Sequence, residues 1–179
     1  MKNFPVNVDG KEYWISPSVA ALGIIYKIGE DGNLYFVANK RGKGCPDYKG
    51  YWNIPCGYFD LEDDSILIAA SREIYEETGL NVPADRWNLW YVNSKPTDGK
   101  HVLSLRFIAK FDESFGTFTS ENSEEDEVDE IKWICVNDVD NYEWAFNQRE
   151  VINEWIKDMY ISLIDWKINN DIAIKTHVS

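Results

Sequence analysis

The sequence predicts an α/β domain, on three observations. Short apolar runs recur between turns rich in Gly, Asp and Asn, as strands require. Two segments, 65–78 and 147–166, instead repeat their apolar residues at helical spacing. A chain of 179 residues with 44% hydrophobic content can also bury one full core.

In order along the chain, Asp9-Gly10 between the runs 4–8 and 12–15 reads as a hairpin turn. Residues 19–26 are apolar almost throughout, as in a central strand buried on both faces. Glu30-Asp31-Gly32-Asn33 then turns the chain into 34–40, the second strand of the same hairpin. Trp52-Asn53-Ile54-Pro55-Cys56-Gly57 reads as a short strand ending in a turn. The helix at 65–78 starts behind the capping cluster Asp63-Asp64-Ser65 and stops at Gly79, a residue that tolerates the left-handed backbone of a helix end. Leu67, Ala70, Ile74 and Thr78 share a face that can pack on a sheet. Further strands are expected at 87–93, 101–111 and 130–135. The final helix, 147–166, carries Ile152, Trp155, Ile156, Met159, Leu163 and Trp166 as one stripe, expected to pack on the sheet face opposite the first helix. No repeat, linker or low-complexity segment marks a second domain, so residues 1–179 are expected to form one, with a short tail at 167–179.

Composition limits what the chain can do. A formal net charge of -13 disfavours binding to a long nucleic acid, which needs a basic surface. Seven acidic residues fall within 120–130, which reads as an exposed acidic loop. No apolar run reaches membrane-spanning length, and the N-terminus lacks the basic-then-apolar order of a signal peptide, so no membrane partner and a cytoplasmic location are expected. Cys45, Cys56 and Cys135 are odd in number and widely spaced, which predicts free thiols. Only His101 and His177 could serve Cys56 as a histidine base, and no motif places either, so cysteine catalysis is not expected.

The chemistry concentrates in Arg72-Glu73-Ile74-Tyr75-Glu76-Glu77-Thr78-Gly79-Leu80. At about 100° per residue, Glu73, Glu76 and Glu77 share an arc of roughly 100° on the helix. Like charges at that spacing repel, and a divalent cation would compensate them. Carboxylate oxygens suit hard ions such as Mg2+ or Mn2+. The bland alternative is a solvated acidic face on which Arg72 and Glu76 form an ordinary surface pair.

The residues upstream favour the metal site. From Gly57 to Leu80 the chain resembles the signature of Nudix hydrolases: a glycine, an acidic loop residue, then Arg-Glu-apolar-x-Glu-Glu-x-Gly-apolar. The second half matches completely, and the signature covers 24 of 179 residues. The loop is one residue longer than the family pattern and its glutamate is replaced, so either Asp63 or Asp64 stands in that place. The resemblance implies a three-layer α/β/α sandwich with a mixed β-sheet. It also implies metal-dependent hydrolysis of a pyrophosphate bond, in a nucleoside diphosphate linked to another moiety or in a nucleoside triphosphate, by water attack on phosphorus.

By the same resemblance Glu76 and Glu77 are the strongest metal ligands, Glu73 joins them, Arg72 orients the carboxylates, and the backbone carbonyl of Cys56 is a further ligand. For the general base Glu127 is the choice and Glu130 the runner-up, since several family members draw a ligand or base from this region. Arg41 and Lys43, with Lys40 and Lys49 nearby, are the candidates for holding substrate phosphates beside Gly57. Trp52, Trp90, Tyr91 and Trp144 could stack on a base, although most such rings belong to a core. Pro96, sixteen residues after Leu80, resembles the spacing in ADP-ribose pyrophosphatases. The competing readings are a hydrolase of unwanted nucleoside triphosphates, a catalytically inactive nucleotide-sugar sensor and an isoprenoid diphosphate isomerase. The expected partner is a small phosphorylated nucleotide, and the sequence leaves monomer and homodimer both open.

Overall fold

The computed structural model describes residues 3–96 and 101–176, with side chains up to residue 162 apart from that of residue 14. Strands β1 (Phe4–Val8) and β2 (Lys11–Ile15) pair antiparallel as a separate two-stranded sheet. Their turn residues Asp9 and Gly10 have φ of 50° and 81°, the positive pair that a tight hairpin requires.

The main sheet comprises β3 (Ser18–Ile28), β4 (Leu34–Arg41), β5 (Trp52–Asn53), β6 (Cys56–Tyr58), β7 (Asn88–Asn93), β8 (Val102–Lys110) and β9 (Val128–Cys135). Its order is β5-β4-β3-β8-β7, with β6 also on β3 and β9 also on β4. β3 and β8 run parallel along their length while the other pairs are antiparallel, so the sheet is mixed. The expected β3–β4 hairpin holds only near its turn, from Tyr26↔Phe36 to Ile28↔Leu34. Beyond it the strands diverge, and β6 takes the vacated edge of β3 at Ala20↔Tyr58, Ala21↔Gly57 and Leu22↔Cys56. That divergence is what brings Cys56 and Gly57 into the sheet beside helix α1 (Ile66–Thr78).

Alternation along the strands sorts the core into two layers. Ala21 and Ile25 of β3, Val37 of β4, and Phe107 and Ala109 of β8 face α1, where Ala69, Ala70 and Ile74 close the layer. Leu22 and Ile24, Phe36 and Ala38, and Ile134 face the other way, onto Val151, Ile152 and Trp155 of helix α2 (Gln148–Thr176). The result is the α/β/α sandwich expected, with the two helices on opposite faces.

Helix α2 is longer than expected: it runs to Thr176 rather than stopping at 166, so most of the anticipated tail is helical. No Gly or Pro occurs between Gln148 and Thr176 to end it, and Asn169, Asn170 and Asp171 are weak helix formers rather than breakers. Of the expected stripe, Ile152 and Trp155 are buried with Ile156 and Met159 packed beside them, whereas the side chains of Leu163 and Trp166 lie outside the described residues. His177 lies outside the described residues as well. Among those described, no helix is long and apolar enough to cross a membrane.

Helix α1 ends as its sequence requires. Gly79 has φ 77° and its N–H donates to Tyr75 O at 2.9 Å. A Cβ there would also press on Thr119, both side chain and backbone. We expect Gly79→Ala to destabilise the protein by about 2–4 kcal/mol, combining left-handed strain with overpacking. The midpoint of urea unfolding at unchanged m-value reads this loss, and an unshifted midpoint would contradict it.

Candidate active site

Ser65 caps α1 by accepting from Ile68 N–H at 3.3 Å. Once Ala69, Ala70 and Ile74 are fixed on the sheet, helical geometry directs the neighbouring positions 73, 76 and 77 toward β6. Glu77 is buried, 4% exposed, and its Oε2 accepts the Cys56 N–H at 3.0 Å. The Glu73 carboxylate lies so close to the Gly57 Cα that any side chain at 57 would collide with it. Only glycine allows that approach.

Arg72 ties the cluster together. Its Nη1 donates to Glu73 Oε1 at 2.8 Å and to Glu76 Oε2 at 3.0 Å. Its Nη2 donates to Tyr58 O at 2.9 Å and to Asp63 Oδ2 at 2.9 Å, while Nε reaches Asp63 Oδ1 at 3.1 Å. The structure thereby separates the two loop aspartates: Asp63 forms a bidentate pair with Arg72 and also caps the Asp60 N–H, whereas Asp64 is exposed. The capping role that the sequence shared among Asp63, Asp64 and Ser65 belongs to Ser65.

Burial governs the electrostatics. It pushes Glu73 up to about 7 against the opposing pull of Arg72, with Glu76 and Glu127 adding to the rise. Glu77 lies well above the usual carboxylate range, first through burial and then through Glu73 and Glu127. Burial also raises Glu127. Glu127, in the acidic loop at 120–130, acts on these α1 carboxylates through charge. Its backbone is held by the Gly-bearing loop: Gly42 N–H donates to Glu127 O at 2.7 Å, Gly44 N–H to Asp126 O at 2.8 Å, and Cys45 Sγ to Glu127 O at 3.3 Å. Glu130 instead is exposed and pairs with Lys132 at 3.2 Å.

The basic residues divide. Arg41 is largely buried, bonds Asp47 through Nη2 and Nε at 3.1 Å each, and lowers the pKa of Glu77 and Glu127. Lys43 is exposed and pairs with Asp126 at 3.2 Å. A cleft of about 280 Å3 opens beside Arg41 and β6, lined among others by Arg41, Gly57, Val102, Arg106, Phe146 and Gln148. Lys40, Lys43 and Lys49 are not in its lining. Trp52 and Trp144 are core residues, and Trp90 donates from Nε1 to Asp158 at 3.0 Å. Tyr91 and Pro96 line an outer extension of the cleft.

All three cysteines are free, and burial raises the Cys56 thiol far above the range of a nucleophile. Sequence reasoning missed Arg106, Phe146 and Gln148. Gln148 clasps Ile54, accepting its N–H through Oε1 and donating to its carbonyl through Nε2 at 3.4 Å, which fixes the approach to Cys56. The signal available was Arg106 itself, a charge in the middle of a mostly apolar strand.

Among the described residues no three Asp, Glu, His or Cys side chains converge on one point as an ion would need, because Arg72 draws Glu73 and Glu76 to itself. The donor set nevertheless fits a hard divalent cation. It offers three carboxylates, of which that of Glu77 is buried and that of Glu73 largely so; burial opposes the ionisation of both, and a cation would offset that penalty.

The family profile of the NUDIX domain matches residues 17–155, and the chain belongs to that family. No curated protein matches it. Among solved structures, the NUDIX domain of Shewanella oneidensis NrtR, complexed with ADP ribose, aligns with a TM-score of 0.64 at 16% identity over 81% of this chain and 90% of that one. A MutT NUDIX hydrolase from Burkholderia pseudomallei aligns with 0.61 at 23% identity, over 78% and 98%. A bifunctional NMN adenylyltransferase/ADP ribose pyrophosphatase from Francisella tularensis, complexed with AMP and Mn ion, aligns with 0.59 at 15% identity; 80% of this chain covers 42% of it. At these identities the likeness is one of fold.

Because Glu73 and Glu77 have raised pKa values in the folded state, that state holds more protons than the unfolded one above the ordinary value of 4.5. The contribution of Glu73 to stability is full below 4.5 and is lost as pH rises through about 7, and that of Glu77 is lost in the same direction. In chelator, the thermal midpoint should fall between about pH 5 and about pH 8, and Glu73→Gln should flatten part of that fall. Mg2+ should restore more stability at the higher pH. A pH profile indifferent to Glu73→Gln would contradict this account.

Proposed function

We propose that the chain is a metal-dependent pyrophosphohydrolase acting on a nucleoside diphosphate linked to a further group, or on a nucleoside triphosphate. The observation that carries the reading is the set of α1 carboxylates beside β6, with Glu73 and Glu76 on Arg72, Glu73 against Gly57 and Glu77 on the Cys56 N–H, next to a cleft that Cys56 and Gly57 line. Mg2+ or Mn2+ would be held by Glu73, Glu76, Glu77 and the Cys56 carbonyl. When bound, it supplies charge neutralisation on the phosphate oxygens and acidification of the attacking water.

The chain's own residues do the rest. Gly57 lets the Glu73 carboxylate come up against β6 at the edge of the cleft, and Arg41 offers charge-assisted hydrogen bonds to the phosphoryl group. Arg72 keeps Glu73 and Glu76 in register from their outer side. Glu127 accepts the proton as the water oxygen bonds to phosphorus, the bridging P–O bond breaks, and its electron pair leaves with the departing phosphate. Lys43, turned to Asp126, is left out of this scheme.

The ADP ribose of the Shewanella domain and the AMP and Mn ion of the Francisella protein support a nucleotide substrate and a divalent metal. A sensor reading fits the Shewanella fold too, but this chain retains every glutamate in the second half of the signature. A screen of nucleotide pyrophosphates with Mg2+ or Mn2+, reading phosphate released after phosphatase coupling, tests the proposal. Absence of turnover on all of them would favour the sensor.

With a substrate in hand, Glu76→Gln should lower kcat about a hundredfold or more in a folded protein. Glu127→Gln should lower it by about 10²- to 10⁴-fold with little change in KM, and should remove the acid limb of its pH profile. Glu130→Gln should be mild. Steady-state kinetics of the three variants decide the matter: near-normal rates in folded Glu76→Gln would sink the hydrolase reading, and an essential Glu130 beside a dispensable Glu127 would move the base.

The cysteines supply an independent check. The triple Cys45→Ala, Cys56→Ala, Cys135→Ala variant, if folded by circular dichroism, should keep most of its turnover, because the attacking group is water. Loss of activity traced to Cys56 alone would show that the water mechanism is incomplete.

A further inference from the structure

The cleft continues away from the carboxylates into an outer compartment of about 260 Å3, lined among others by Tyr91, Asn93, Lys95, Arg106, Glu150 and Glu154. Arg106 of β8 borders both parts. It lies opposite Leu22 of β3 and Tyr91 of β7, and its side chain is 5% exposed. Burial on that scale is rare for arginine without full pairing.

Its pairing is incomplete. Among the described residues the Nε–H has no hydrogen-bond partner. Nη1 reaches Glu154 at 3.6 Å, too long for a good hydrogen bond, and that glutamate is 62% exposed. The Tyr91 ring lies 5.1 Å from the guanidinium carbon and steadies it from one side. A buried guanidinium so held presents a fixed donor to whatever enters the cleft.

The rest of the compartment says what that is. Arg106 and Lys95 are matched by Glu150 and Glu154, so the lining carries no excess positive charge with which to attract a further phosphate. Charged donors, charged acceptors, the Asn93 amide and an aromatic ring together match a neutral group with many hydroxyls, which needs both donors and acceptors around it.

We propose that Arg106 determines specificity, donating to an oxygen of a sugar joined to the diphosphate, so that the substrate is a nucleoside diphosphate sugar rather than a nucleoside triphosphate. The diphosphate position rests on the pyrophosphohydrolase reading above. Recognition of the sugar does not require that hydrolysis occur.

Binding of ADP-ribose, ADP-glucose and ADP is to be compared in Mg2+, as Kd where the ligand survives and as KM where it is hydrolysed. The wild-type protein should favour the two sugar compounds over ADP by about tenfold or more. Arg106→Gln should abolish that preference by weakening the sugar compounds, leaving ADP within about twofold. Glu154→Gln, a change at an exposed position, keeps the guanidinium and should narrow the preference from the other side, by raising affinity for ADP. Absence of a sugar preference in the wild type, equal losses for all three ligands in Arg106→Gln, or an unchanged preference in both variants overturns the proposal. An Arg106-dependent sugar preference without turnover upholds it and removes the hydrolase reading instead.

Discussion

The site depends on one constraint: carboxylates of a single helix are buried against a backbone turn. Neither Glu73 nor Glu77 could be ionised there at low cost without compensation, and the fold supplies it in unequal shares. Glu77 has the Cys56 N–H. Glu73 and Glu76 share one nitrogen of Arg72, whose remaining donors are spent on Asp63 and Tyr58. This guanidinium therefore joins the loop at 59–65, the end of β6 and the carboxylate-bearing face of α1 in one network. The divergence of β3 from β4 is equally necessary, because it opens the sheet edge that β6 occupies.

Much of this was legible in the sequence, and for local reasons. The length of α1 is written in Ser65 and Gly79, and the carboxylate spacing fixes which face they share. The assignment of strands to layers follows from alternation, as Ala21 and Ile25 against Leu22 and Ile24 illustrate. Signature residues at fixed offsets on one helix need no knowledge of distant contacts.

The remainder depends on contacts that spacing does not encode. Asp63 and Asp64 are adjacent in sequence, and only the path of the loop turns one toward Arg72 and the other to solvent. Lys43 and Arg41 belong to one basic run, but strand β4 carries Arg41 inward before the chain turns away at Gly42. Trp52 and Trp144 read equally well as ligand platforms or core until they are seen meeting in the same layer. The cleft itself is assembled from β3, β6, β8 and the start of α2, which no local window contains. The end of α2 escaped for the opposite reason: its apolar stripe ends at Trp166, but the sequence beyond it lacks a stop signal and the helix continues.

The attachment of the acidic loop has a consequence for how the chain can vary. Gly42, Gly44 and Cys45 grip that loop through the main-chain oxygens of Asp126 and Glu127. Such a grip is indifferent to the side chains of the residues it holds. Most of the run from Glu121 to Glu125 is exposed, so its charges can be exchanged, thinned or reversed over generations while the carboxylate at 127 keeps its station. The gripping segment has no such freedom, since a side chain at 42 would strike the Asp126 main-chain oxygen and one at 44 those of Glu125 and Asp126. Substitutions should thus accumulate on one side of this contact and be purged on the other.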